Sequence, residues 1–101
     1  QLDGSRSPFD QVNAIREAVG DKLEIILDGG VRRGTHVLKA LAAGATACSF
    51  GKMFLFALSA GGQPGVERLL QNMHDEINRN MILMGCKTLK ELDASKLIYR
   101  K

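Results

Sequence analysis

The chain has 101 residues, 45% of them hydrophobic and 25% charged, with 11 glycines, 2 prolines and no tryptophan. That length holds one small domain and excludes a complete (β/α)8 barrel, which takes about 250 residues. The net charge of +3 is gathered at one end: residues 87–101 hold five cations and two acids, and residues 1–86 hold nine of each. A neutral body with a basic tail is not the footprint of a nucleic-acid binder, which needs a basic face.

Residues 1–6 are polar and read as a loop. Ser7-Pro8-Phe9-Asp10 predicts a helix start, with Ser7 as N-cap, Pro8 in the first helical position and an acid in the first turn. Phe9, Val12, Ile15 and Val19 then share one helical face, and Gly20 stops the helix. Leu23-Glu24-Ile25-Ile26-Leu27-Asp28 is a short apolar run between glycine turns, as in a buried strand of a parallel sheet. After the turn Gly29 to Gly34, a helix is expected from Thr35 to Ala43, with Val37, Leu38 and Leu41 inward and Gly44 at its end. Ala45 to Phe50 is the second buried strand, closed by Gly51.

Lys52 to Ala60 reads as a short helix broken by Gly61-Gly62-Gln63-Pro64-Gly65. The longest helix follows, from Gly65 to Met84, on the stripe Val66, Leu69, Leu70, Met73, Ile77, Met81 and Met84. Met73, Met81 and Met84 read as core filler. Gly85 ends the helix, and Thr88 with Glu91 forms a capping-box pattern for a last turn. Strands alternating with helices imply a parallel sheet with right-handed crossovers, an α/β fold. The expected division is a body over residues 1–92 and a solvated basic tail over 93–101.

Cys48 and Cys86 are isolated, without CxxC or histidine at ligand spacing, so no metal site is expected. Two lone thiols suit a reducing compartment, and a cytoplasmic location is expected. No apolar run reaches the 18 residues of a membrane span, and Gln1-Leu2-Asp3-Gly4 has no signal-peptide pattern.

The chemistry is concentrated where the strands end. Strand one runs into Asp28-Gly29-Gly30-Val31-Arg32-Arg33-Gly34 and strand two into Gly51-Lys52. In parallel α/β folds ligands bind at the carboxyl ends of strands. Glycines there let a ligand approach the backbone, the cations suit an anion, and each turn leads into a helix N-terminus with free N–H groups. A phosphate site is the reading, against a plain tight turn with solvated arginines. The spacing fits neither a P-loop nor a dinucleotide fingerprint. Asp28, an acid at the end of a buried strand, either orients its turn, with Arg32 as one partner, or contacts a ligand. His36 and His74 read as surface histidines.

These motifs together resemble the C-terminal part of the FMN-dependent 2-hydroxy-acid oxidases and dehydrogenases, the family of glycolate oxidase, L-lactate dehydrogenase and flavocytochrome b2. The resemblance is carried by Gln1-Leu2-Asp3-Gly4, Asp28 to Thr35, Lys39 to Ala45, Gly51-Lys52, Gly61-Gly62, Gly65-Val66 and Met84-Gly85-Cys86. It implies a TIM barrel, with residues 23–28 as barrel strand seven and 46–51 as strand eight. It further implies that Asp28, Gly29, Gly30, Val31 and Arg32 wrap the phosphate and ribityl chain of FMN, with Arg32 as a bidentate donor, and that Gly51 and Lys52 complete the phosphate site. Two positions depart from the family. Lys52 replaces an arginine, keeping the charge and losing the planar fork, and Met53 replaces a proline.

The resemblance also places a His-Gly-x-Arg run immediately before Gln1. Its histidine takes the substrate hydroxyl proton and its arginine clamps the substrate carboxylate. No catalytic residue is therefore expected within the 101 residues, and the isolated chain is expected to be inactive. The intact enzyme would oxidise a small 2-hydroxy acid. Two other readings stay open: a phosphate-binding piece of another barrel enzyme, and a non-catalytic piece that self-associates through open strand edges. A homo-oligomer is expected.

Overall fold

A computed structural model describes residues 2–100. Gln1 of the Gln-Leu-Asp-Gly motif and Lys101 lie outside the described residues. Helix α1 (Pro8–Val19), strand β1 (Ile26–Asp28), helix α2 (Gly34–Ala43), strand β2 (Ala47–Ser49) and helix α3 (Lys52–Met84) follow one another, then two 3-10 turns at Leu89–Glu91 and Ala94–Lys96. The strands pair in parallel, Ile26 with Ala47, Leu27 with Cys48 and Asp28 with Ser49.

The glycines that the sequence marks as stops do stop the helices. Gly44 and Gly85 adopt left-handed conformations at the ends of α2 and α3, and the Gly20 N–H closes α1 onto the Arg16 carbonyl at 2.9 Å. Pro8 opens α1 as expected, with Ser7 in the N-cap place but no bond from its side chain. The break expected at residues 61–65 falls at Gly62, whose φ of 60° and ψ of −146° divide α3 into two arms. A Cβ on Gly65 would lie 2.3 Å from the Ala57 carbonyl, so the second arm can fold against the first only with glycine there.

One core lies between the sheet and the helices. Val12 of α1, Leu27 of β1, Val31 of the turn after β1, Ala40 and Ala43 of α2, Ala45 just beyond α2, and Met73 of α3 form it, with Cys48 packed against it. A second cluster joins Leu38 and Ala42 to Cys86 and Leu92. Both thiols are free.

Three expectations need correction. The strands are three residues long and covered on one face only. Leu27 is 5% exposed but Ile26 beside it is 64% exposed. Alternate residues of a strand point to opposite faces, and the helices pack on the Leu27–Cys48 face. Among the described residues nothing covers the other. Second, Met73 is buried as core filler, but Met84 is 37% exposed, since it ends α3 past the helix it packs on. Third, the tail is not free in solvent. Leu97 packs against both clusters, and Tyr99 lies over Phe9 with ring centres 6.4 Å apart. Its charges, Lys96 and Arg100, stay exposed. The capping box is not made: Glu91 reaches past Thr88 to accept the Lys87 N–H at 2.5 Å, and Thr88 caps nothing.

The amino ends of the strands are tied by one side chain that the sequence does not single out. Arg16 donates from Nε to the Gly44 carbonyl at 2.8 Å, from Nη1 to the carbonyls of Gly20 and Leu23 at 2.6 and 3.0 Å, and from Nη2 to Thr46 Oγ1 at 3.1 Å. Thr46 Oγ1 also accepts from the Ile25 N–H at 3.0 Å. Four bonds from one guanidinium satisfy the carboxyl ends of both helices and the entry to both strands. Arg16→Met keeps the aliphatic stem and removes the bonds. It is expected to lower stability by about 2 kcal/mol, read as a lower urea midpoint at unchanged slope; a change below about 0.5 kcal/mol, the scatter of ordinary surface substitutions, would contradict the role.

Candidate functional site

The register decides where the two glycine turns stand. Asp28 pairs with Ser49, so the chain leaves both strands at the same edge, about 5 Å apart. Gly29 and Gly30 have φ of 109° and 75°, a region closed to most side chains. A Cβ on Gly29 would sit 3.2 Å from Pro8 Cγ, whereas the Cβ positions of Gly30 and Gly51 face open space. Gly51 is the N-cap of α3, its carbonyl accepting the Leu55 N–H at 3.0 Å.

The turn between β1 and α2 is anchored from below and free above. Val31 is buried in the core. Gly34 opens α2 against the second arm of α3, where an added Cβ would lie 2.7 Å from the Met73 carbonyl and 3.0 Å from the Ile77 nitrogen. The two arginines between them have different fates. Arg33 is bound to Glu76 of α3, with Nη2 at 2.9 Å and Nε at 3.1 Å from Oε1. Thr35 donates to the same oxygen at 2.6 Å and accepts from Asn80 at 2.9 Å. The Thr35 hydroxyl, helped by the Arg33 guanidinium, holds the Glu76 carboxyl below the usual carboxylate range. Arg32 is exposed, and among the described residues its guanidinium has no carboxylate partner. The same holds for Lys52, the first residue of α3. Asp28 is exposed and makes no ion pair with Arg32.

His36, read from sequence as a surface histidine, has a structural task. Its Nδ1 accepts the Arg32 backbone N–H at 3.1 Å, which folds the turn back onto the first turn of α2. It is therefore the tautomer with its proton on Nε2. Burial, then the cations Arg32, Lys39 and Arg33, push its pKa below 6.5, against a smaller opposing pull from Glu76. His74 is exposed on α3, within 3.3 Å of Asn78.

The donor set suits a phosphate group. Two cations without internal partners, two glycines whose missing side chains leave room, and two helix N-termini converge on one edge of the sheet.

A family model, FMN-dependent dehydrogenase, matches residues 1–99. The chain belongs to that family. Its cofactor is FMN, and the phosphate-like donor set at the strand ends agrees with a phosphate-bearing flavin. L-lactate oxidase of Nostoc sp. is 44% identical over 97 residues, 96% of this chain and 27% of that protein. 2-Hydroxyacid oxidase 1 of Homo sapiens is 44% identical over 101 residues, 100% of this chain and 27% of that one. A flavocytochrome b2 variant with sulfite bound superposes with a TM-score of 0.87 at 44% identity, covering 94% of this chain and 26% of that one. A mandelate oxidase with benzoyl-formic acid gives 0.85 at 40% identity, covering 89% and 27%. The chain thus spans about a quarter of the length of the relatives it matches. Its two parallel strands and flanking helices fit a piece of the α/β barrel of such FMN-dependent enzymes.

Of the residues that sequence reasoning named, the fold brings Asp28, Gly29, Gly30, Val31 and Arg32 onto the same sheet edge as Gly51 and Lys52. Val31 differs from the others in facing the core. Glu76, Thr35 and Asn80 escaped notice, since Arg33 and Glu76 are 43 positions apart and a single sequence carries no sign of their contact.

The depressed pKa of His36 has a sign that can be checked. Neutral His36 accepts the Arg32 N–H, so its contribution to stability is present above pH 6.5 and is lost as pH falls toward the lower folded value. His36→Leu is expected to remove that part of the slope of stability against pH just below 6.5. Parallel wild-type and variant slopes there would contradict it.

Proposed function

We propose that this chain is the part of an FMN-dependent 2-hydroxy-acid oxidoreductase that holds the cofactor phosphate. Its strands are strands seven and eight of the barrel. The observation that carries the reading is the side-by-side placement of two glycine turns with partnerless cations, Arg32 and Lys52, at one sheet edge. When bound, FMN accepts the hydride equivalent removed from the Cα of a small 2-hydroxy acid.

The chain's own residues bind and orient. Gly29 and Gly30 would let the phosphate approach the backbone, and Arg32 would hold it as a charge-assisted donor through its planar fork. Lys52 adds a point charge from the N-terminus of α3, where the helix dipole acts in the same sense. Asp28, which among the described residues has no cation partner, would accept hydroxyl hydrogens of the ribityl chain. Val31 fixes the turn to the core beneath. The resemblance assigns proton abstraction and the clamp on the substrate carboxylate to a histidine and an arginine ahead of the position of Gln1, and the 101 residues by themselves are expected to oxidise neither lactate nor glycolate.

The exposed Ile26 face and the apolar first arm of α3, with Phe54, Leu55, Phe56 and Leu58 all substantially exposed, support closure by further barrel strands. As an isolated chain, the protein is expected to self-associate through these surfaces, with a sedimenting mass that rises with concentration. A monomer at every concentration would contradict this.

FMN binding, followed by quenching of flavin fluorescence, tests the site. Arg32→Ala is expected to weaken it about 10–100-fold, the value of a charge-assisted pair. Lys52→Ala should weaken it less and Lys52→Arg should strengthen it. Unchanged binding in Arg32→Ala would remove the reading. So would turnover of lactate or glycolate by the chain alone remove the expectation of inactivity.

A further inference from the structure

The turn that carries Arg32 is gripped from the far side by the second arm of α3, the helix whose first residue is Lys52. A single oxygen, Glu76 Oε1, receives three donors: Arg33 Nη2, Arg33 Nε and Thr35 Oγ1, at 2.9, 3.1 and 2.6 Å. Arg33 and Thr35 flank Gly34, which rests on the α3 backbone at Met73 and Ile77 with no room for a Cβ. Asn80, one turn further along α3, fastens Thr35 again at 2.9 Å. Glu76 is well shielded for a carboxylate, with its side chain 13% exposed, while that of Arg33 is 66% exposed. From this grip the path to the anion is short. Thr35 precedes His36, and His36 Nδ1 holds the Arg32 N–H.

We propose that Glu76 is the positioning residue of the phosphate turn: by holding Arg33 and Thr35 against α3 it sets the direction in which Arg32 and the Gly29-Gly30 backbone meet the cofactor phosphate. This rests on the phosphate reading of that turn. Glu76 touches neither phosphate nor flavin in this role.

Electrostatics alone predicts the opposite sign. Glu76 is an anion near an anion site, and it neutralises Arg33. Replacing it with glutamine removes a negative charge and frees a positive one, which would tighten phosphate binding if charge were all that mattered. A positioning role predicts weaker binding, because the neutral amide holds the guanidinium less tightly than the carboxylate and can turn its NH2 toward it, so the turn is fixed less well.

The experiment titrates the protein with FMN and with riboflavin, which has the same ring and ribityl chain but no phosphate. Glu76→Gln is expected to weaken FMN binding about tenfold and to leave riboflavin binding unchanged. Thr35→Val keeps the size and the net charge and removes one of the three donors. It should act in the same direction, and it guards against a Glu76 variant that folds poorly. Unchanged or tighter FMN binding in both variants, with Arg32→Ala still weakened, would overturn the role of Glu76. Equal loss of FMN and riboflavin would also overturn it, as general destabilisation. Arg32→Ala binding FMN like the wild type would instead overturn the phosphate reading, a result separate from the others.

Discussion

The parallel register between β1 and β2 is the constraint on which everything else depends. Pairing Asp28 with Ser49 puts two glycine turns at one edge, and a slip of one residue would turn Leu27 and Cys48 away from the core. Two three-residue strands cannot hold that register by their own ladder. Arg16 and Thr46 hold it from the opposite end, where one guanidinium binds the ends of α1 and α2 and the threonine that opens β2. The sheet therefore has one end tied by Arg16 and Thr46 and an opposite end where the proposed phosphate site stands.

Division of labour also runs through the neighbouring arginines. Arg33 is neutralised by Glu76 and serves packing between α2 and α3. Arg32 is left without an internal partner, and its backbone is held by His36 so that the side chain is free to act outward. Satisfying one cation internally while leaving its neighbour bare concentrates positive potential on one side of the turn. The neutral body of the chain fits this arrangement, because a single phosphate needs a few placed cations and not a basic surface.

The uncovered parts of the molecule have one physical origin. Ile26, Phe54, Leu55, Phe56 and Leu58 expose large apolar side chains, and they sit on the open sheet face and on the first arm of α3. Of these, Ile26 belongs to a run read from sequence as a buried strand, and the others to one read as a short helix. The proposed barrel accounts for both surfaces, since its further strands would cover them. Sequence periodicity reports the face a residue was suited to bury, and the partner surface decides whether it is buried.

Most of the local structure was legible from residue chemistry. Gly20, Gly44 and Gly85 end helices because they alone reach the closing conformations cheaply, and Pro8 and Gly62 mark a start and a break for equally local reasons. The residues that line the strand ends could be named too, since Asp28 to Arg32 and Gly51-Lys52 follow short apolar runs bounded by glycines, which read as strands. The sequence by itself thus determined the order of elements, the glycine turns and the presence of three cations, Arg32, Arg33 and Lys52, beyond the strands. Tertiary structure alone decided which arginine stays free, that Glu76 and Arg16 matter, that His36 supports a turn, and that the tail packs through Leu97 and Tyr99. Each of those depends on a contact across 28 or more positions or on a hydrogen bond's direction, and in a single sequence such partners leave no periodic trace.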